Sequence, residues 1–258
     1  MKGKKPFDKK ENKGESKKFT PRPQELRLNK YIANAGVCSR READQLIADG
    51  KIKVNGSVVS ELGYKVKRTD NVEYQGKSLN PETLQYVLLN KPTDFITTTS
   101  DPQGRKTVMS LIKTACDERI FPVGRLDRNT TGLLLFTNDG DLAKKLTHPS
   151  HQIKKIYQVT LDKPITNDDF DSILKGVPLE DGVANVTEIA VISDDKMMLG
   201  VEIHMGKNRI VRRIFEHFGY QVERLDRVMF GSLTKKNLTR GKWRHLSEKE
   251  VIRLKNLK

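Results

Sequence analysis

The spacing of apolar residues changes twice in the first third of the chain. Leu26, Leu28, Tyr31, Ile32 and Ala35 recur at helical spacing, and Gly36 supplies a stop. Ser39-Arg40-Arg41-Glu42 has the form of a capping box, so a second helix starts there. Ala43, Leu46 and Ile47 are its apolar stripe, and Gly50 ends it. The period then falls to two. Lys51-Ile52-Lys53-Val54 alternates, Asn55-Gly56 turns the chain, and Ser57-Val58-Val59 returns, which predicts a hairpin.

A short polar connection, Asn80-Pro81-Glu82, precedes a longer region of mixed character. Strands are predicted at Tyr86–Asn90, Gly132–Thr137, Ile156–Leu161, Val186–Ile192, Met198–His204 and Val222–Phe230. Helices are predicted at Val108–Thr114, Asp141–Leu146, Asn167–Lys175 and Asn208–Phe218. A last helix starts at Ser247, which forms a capping box with Glu250. Strands outnumber helices and several are consecutive. The expected class is α+β, a mixed and mostly antiparallel sheet with helices packed on it. The chain divides into a segment 1–24, a small domain 26–84 and a larger domain 85–258.

Composition narrows the partner. The chain has 258 residues and a formal net charge of +15, which points to a polyanion, with nucleic acid ahead of a membrane surface. No stretch pairs aromatics with a lysine face, and no apolar run approaches membrane-spanning length. Residues 1–24 hold nine Lys or Arg against three Asp or Glu, a surplus of six, with almost nothing apolar; they read as a disordered basic arm. Cys38 and Cys116 are the only cysteines, which excludes a disulfide framework and suits a reducing cytoplasm. His148 and His151 flank Pro149 without a third ligand nearby, so neither a metal nor another cofactor is expected.

The chemistry concentrates in Gly124-Arg125-Leu126-Asp127-Arg128-Asn129-Thr130-Thr131-Gly132-Leu133-Leu134-Leu135-Phe136-Thr137-Asn138-Asp139-Gly140. One carboxylate, Asp127, stands between Arg125 and Arg128 in a glycine-bounded loop, just before a run that reads as a buried strand. By residue type and spacing alone, Asp127 reads more readily as a structural loop aspartate capping the next turn than as a catalytic group. The long motif resembles that of pseudouridine synthases acting on ribosomal RNA, and the resemblance implies that Asp127 is the nucleophile or base. Lys154-Lys155-Ile156-Tyr157-Gln158-Val159 resembles the family's second motif, which implies that Tyr157 stacks near the target base. "GKNRIVRRIFEHFGY" resembles the third, in which the basic residue at Arg212 pairs with the aspartate. On a helical wheel Ile210, Val211, Ile214, Phe215 and Phe218 share one arc, with Arg209, Arg213 and Glu216 opposite. Arg212 falls at the border, where it can lean over the core edge. Ile210 and Met205 depart from residues common in the family, which bears on contacts to the base edge.

The helix–helix–hairpin "LRLNKYIANAGVCSRREADQLIADGKIKVNG" resembles the RNA-binding domain of ribosomal protein S-four. The resemblance implies backbone contacts to RNA from Arg27, Lys30, Arg40, Arg41 and Lys53. In the larger domain Arg125, Arg128, Lys154, Lys155, Lys207, Arg209 and Arg213, with Arg105 and Lys106, are the residues expected to face RNA. Such contacts give affinity rather than sequence reading.

Together the two resemblances cover about 230 residues, everything but the arm, and imply a monomeric, cytoplasmic isomerase of a ribosomal RNA uridine. "NTTGLLLFTNDGDLAKKLTHPS" and the ending "LTRGKWRHLSEKEVIRL" are closest to the large-subunit types, so 23S RNA is expected, with 16S RNA as the alternative. Two rivals remain at this point. A non-catalytic assembly protein would keep the basic surface without needing Asp127. A nucleoside hydrolase would need a second carboxylate, for which Asp139 and Asp141 are candidates.

Overall fold

The computed structural model describes residues 25–257, and these form two compact units that divide after Asn80. The expected basic arm, 1–24, lies outside the described residues.

In the first unit, strand β1 (Leu26–Arg27) leads into helices α1 (Leu28–Asn34) and α2 (Arg40–Ala48). Ser39 caps α2 by accepting from the Glu42 N–H, while the Glu42 carboxylate accepts from the Ser39 N–H at 2.7 Å. Strands β2 (Ile52–Val54) and β3 (Ser57–Val59) form the expected hairpin, and Asn55 and Gly56 both take positive φ at its tip. The sequence reading differs at two places. Leu26 lies in a strand rather than in the helix, because β1 pairs with β4 (Lys65–Val66). A second hairpin, β5 (Val72–Tyr74) and β6 (Lys77–Ser78), turns at Gln75-Gly76 and extends the sheet to four strands, β3-β2-β5-β6. Leu28, Ile32, Ala43, Ile47, Ile52, Val66 and Val72 fill the core between helices and strands.

The second unit is built on a nine-stranded sheet. In chain order it contains β7 (Tyr86–Lys91), β8 (Phe121–Pro122), β9 (Thr130–Thr137), β10 (Lys155–Leu161), β11 (Glu188–Val191), β12 (Met198–Ile203), β13 (Val222–Phe230), β14 (Leu233–Thr234) and β15 (Trp243–His245). The spatial order is β11-β12-β10-β13-β9-β7-β15, with β14 on β13 and β8 on β9. Every pairing is antiparallel except β13 with β9, where Asp226 and Arg227 run beside Thr131 and Gly132. The helices are α3 (Gly140–Thr147), α4 (Asn167–Lys175), α5 (Ile210–His217) and α6 (Glu248–Lys255).

The unbroken apolar run of β9 has a direct cause. All eight of its residues are buried, because core lies on both faces of the strand. Leu134 and Phe136 join the cluster that holds Val159, Ile214 and Phe215, whereas Leu133 and Leu135 join the one that holds Leu142, Leu146 and Leu254. The predicted helix Val108–Thr114 shrinks to a 3-10 turn, Val108–Leu111, since the Val108 N–H bonds across the chain to the Ile96 carbonyl. The predicted helix start at Asn208 moves to Ile210, because Arg209 takes a left-handed backbone (φ 46°). Strand β15 was not foreseen. It is three residues long at a sheet edge, clipped to α6 by two Arg244–Glu250 hydrogen bonds of 2.8 and 2.7 Å.

Candidate active site

Asp127 sits in the loop between β8 and β9, and the backbone of that loop is held from three sides. Lys91, fully buried at the end of β7, donates from Nζ to the carbonyls of Asp127 (3.0 Å), Arg128 (3.2 Å) and Thr130 (2.8 Å), and to Pro92 (3.1 Å). Thr97 accepts from the Leu126 N–H and donates its hydroxyl to the Leu126 carbonyl at 2.7 Å. The Asp94 N–H donates to the Arg128 carbonyl at 3.0 Å. Burial pushes the Lys91 ammonium down to about 8, while the negative charges of Asp127 and Asp94 pull the other way. Neither Lys91 nor Thr97 was picked out from the sequence. The available signal was a lysine ending an otherwise buried strand, a position that burial disfavours unless its charge is satisfied.

The half-buried Asp127 lines a cleft of about 390 Å³. Tyr157, Lys155, Arg227 and Phe230 from β10 and β13 line it too, as do Lys207, Arg209 and Ile210 at the start of α5, and Arg125 and Arg128 beside the aspartate. The structure therefore brings Asp127 and Tyr157 into one cavity. Tyr157, 8% exposed, faces Arg227 across the β10–β13 pairing.

Arg212 behaves otherwise than the resemblance implied. Its guanidinium donates to the Val222 carbonyl and, at 3.4 Å, to the Asn129 carbonyl, and it forms no ion pair with Asp127 among the described residues. The cause is position. Arg212 is buried at the base of α5, where the nearest acceptors are backbone oxygens of β13 and of the aspartate loop itself. Burial lowers the affinity of Arg212 for its proton, and Arg209 adds to that, while Asp127 and Glu216 oppose it. Arg212 thus steadies the chain two residues beyond Asp127 and contributes a long-range charge.

The expected RNA-facing residues divide. Arg125, Arg128, Lys155, Lys207 and Arg209 line the cleft. Arg128 makes an exposed pair with Asp94 at 3.3 Å, and Arg209 one with Glu216 at 3.0 Å, which leave both available at little cost. Lys154 and Arg213 do not line the cleft. Lys154 pairs with the buried Glu202, and Arg213 grips Asp181 through two hydrogen bonds of 3.1 and 2.6 Å. Arg105 is held by Asp101, whereas Lys106 is exposed. In the first unit Arg27, Arg40, Arg41 and Lys53 are exposed and Lys30 is half-buried. Asp139, a candidate second carboxylate for hydrolysis, is committed elsewhere. It caps α3 and accepts from the Tyr86 hydroxyl at 2.8 Å. Asp141 lies in the first turn of α3 and does not line the cleft.

The sequence pattern of the family described as RNA pseudouridylate synthase matches residues 85–217, and that of the S4 domain matches residues 26–72. The chain is 42% identical over 235 residues to a ribosomal large subunit pseudouridine synthase B of Bacillus subtilis, covering 90% of this chain and 96% of that protein. The chain belongs to the RNA pseudouridine synthase family. It is an isomerase with an N-terminal S4 domain, and its substrate is RNA. An uncharacterized RNA pseudouridine synthase of Aquifex aeolicus is 41% identical, covering 89% of this chain and 94% of that one. The dual-specificity RNA pseudouridine synthase RluF of Escherichia coli is 36% identical, over 89% of this chain and 78% of the relative. A crystal structure of a pseudouridylate synthase superposes with a TM-score of 0.63 at 28% identity, covering 89% of this chain and 99% of that one.

Proposed function

We propose that this synthase converts one uridine of 23S ribosomal RNA to pseudouridine, with Asp127 as the nucleophile or base. The observation that carries the reading is the joining of Asp127 and Tyr157 in one basic-rimmed cleft. A base stacked in duplex RNA cannot reach such a cleft, so the nucleotide must be extruded. The C1′–N1 bond then breaks, the base turns, and a C1′–C5 bond forms. N1 gains a proton and C5 loses one, so no redox partner is needed.

In this scheme each residue has a separate task. Asp127 meets the ribose, either at C1′ as a nucleophile or as the base for a ribose proton. Tyr157 offers a ring face to the pyrimidine. Arg212 and Lys91 fix the loop that carries the carboxylate. Arg125, Arg128, Lys207 and Arg209 receive phosphates, and the S4 residues Arg27, Lys30, Arg40, Arg41 and Lys53 add RNA affinity. The kinship with a protein named for the large subunit supports 23S RNA over 16S RNA. A monomer acting in the cytoplasm completes the reading. Among the described residues no helix is long and apolar enough to cross a membrane.

Pseudouridine mapping of both ribosomal RNAs, from cells with and without this gene, tests the substrate. One 23S site should disappear, and unchanged profiles would reject the assignment. In vitro, Asp127→Asn should lower product formation at least about a thousandfold, with RNA affinity kept within about threefold.

A further inference from the structure

The floor of the cleft holds a cation that the scheme above leaves unused. Arg227 is 3% exposed and lines the cleft. Its Nε donates to the Leu133 carbonyl at 2.8 Å, and its guanidinium lies 4.6 Å from the centroid of the Phe230 ring. Its Nη2 is buried and has no hydrogen-bond partner. No carboxylate pairs with Arg227 among the described residues. The adjacent Asp226 turns its carboxylate to Thr131, Lys235 and Arg240 instead. Lys155 places a second desolvated cation in the same cleft, its Nζ bonded to the Ile153 and His204 carbonyls at 2.8 and 3.2 Å. Burial, and then the charge of Arg227, push that ammonium down to about 8.

A buried guanidinium with an idle donor and no counter-ion is costly to keep. Its position limits what could satisfy it. Phosphates follow the solvated rim of a cleft, whereas an extruded base goes deepest. The groups a uracil offers there are its carbonyl oxygens, and these carry negative charge once the base is detached. When the C1′–N1 bond breaks, its electron pair stays with uracil and spreads over N1 and the two carbonyls. The charge is discharged when C5 bonds to C1′ and its hydrogen leaves as a proton, N1 taking one up.

We infer that Arg227 is a catalytic residue that donates to a uracil carbonyl and stabilises the negative charge on the detached base. The inference rests on the proposed entry of uridine beside Asp127 and Tyr157. A fixed donor that meets charge as it develops acts chiefly on the rate of bond breaking rather than on binding.

A leaving-group comparison tests this. The substrate is a ribosomal RNA fragment spanning the mapped uridine, prepared with uridine or with 5-fluorouridine at that position. Fluorine withdraws electrons, so the detached base needs less help. Single-turnover loss of the N-linked nucleoside is followed by digestion to nucleosides, chromatographic separation of the N- and C-linked isomers, and mass spectrometry. Wild-type conversion of the uridine fragment checks the functional reading separately. Arg227→Met should slow the uridine reaction about a hundredfold with RNA affinity nearly unchanged, and should slow the 5-fluorouridine reaction about tenfold less. Equal slowing of both substrates, or a loss confined to affinity, overturns the inference. If Arg227→Met does not fold, the same ratio of slowdowns measured on Arg227→Lys decides the matter in the same way.

Discussion

At Gly132 there is no room for a side chain. The backbone takes φ 108°, and an added Cβ would lie 2.3 Å from the Arg227 carbonyl oxygen and 2.5 Å from its nitrogen. This close approach is what allows β9 to run parallel to β13, which places Arg227 near the end of the Asp127 loop. Gly132→Ala should therefore destabilise the fold by more than about 2 kcal/mol, measured by urea unfolding, since the clash is with backbone that cannot move aside. Lys91 supports the other end of the same loop. Lys91→Met removes one donor from each of four carbonyls that fix the loop, and about 2–4 kcal/mol of stability should be lost, with kcat falling more than KM rises. Of the two positions, the motif revealed the glycine as part of its pattern. Lys91 was missed because its partners are backbone oxygens 36 or more positions away, apart from Pro92.

Among the elements, α5 shows how far periodicity reaches. Its apolar arc was legible, and Ile210, Val211, Ile214 and Phe215 are buried as the wheel requires. The wheel placed Arg212 at the core border but could not name its partners, because the Asn129 and Val222 carbonyls come from other segments. Strand β10 carries a testable titration. Lys155 is held at about 8 against an ordinary 10.5 in the unfolded chain. Below about pH 8 both states carry the proton, and the folded state bears the full penalty of the buried charge. Between about 8 and 10.5 the unfolded state binds more protons, so stability from this site rises with pH. The stability of wild type relative to Lys155→Met, from denaturant titrations at pH 7 to 10.5, should increase over that window. A flat difference would remove the desolvation account. The three-residue strands β2 and β3 were legible through the Asn-Gly turn between them, whereas β5, β6 and β15 were not, since so few positions show no period.

For the whole molecule, the net charge of +15 sets the expectation for RNA binding. Each phosphate contact releases counter-ions, so the slope of log affinity against log salt counts the contacts. Replacing Arg27, Arg40, Arg41 and Lys53 together by Ala should reduce that slope by about 3, while kcat at saturating RNA stays near the wild-type value. Binding measured across a potassium chloride series checks this, and an unchanged slope would take these residues out of the interface. Charge alone could not say which basic residues are available. Arg213 and Lys154 read as free surface cations in the sequence, yet ion pairs with Asp181 and Glu202 turn them to structural use.

By itself the sequence determined the α+β class, the capping boxes at Ser39 and Ser247, the Asn55-Gly56 hairpin, the doubly buried β9 and the motif around Asp127. These features depend on neighbours within a few residues or on a single unbroken run. The tertiary structure alone decided that Lys91 and Arg212 hold the aspartate loop by its carbonyls, and that Arg227 lies unpaired beside Tyr157. It also decided which surface cations are already matched by acids. Such outcomes depend on which distant segments meet, because a buried charge takes its hydrogen bonds from whatever backbone the packing delivers.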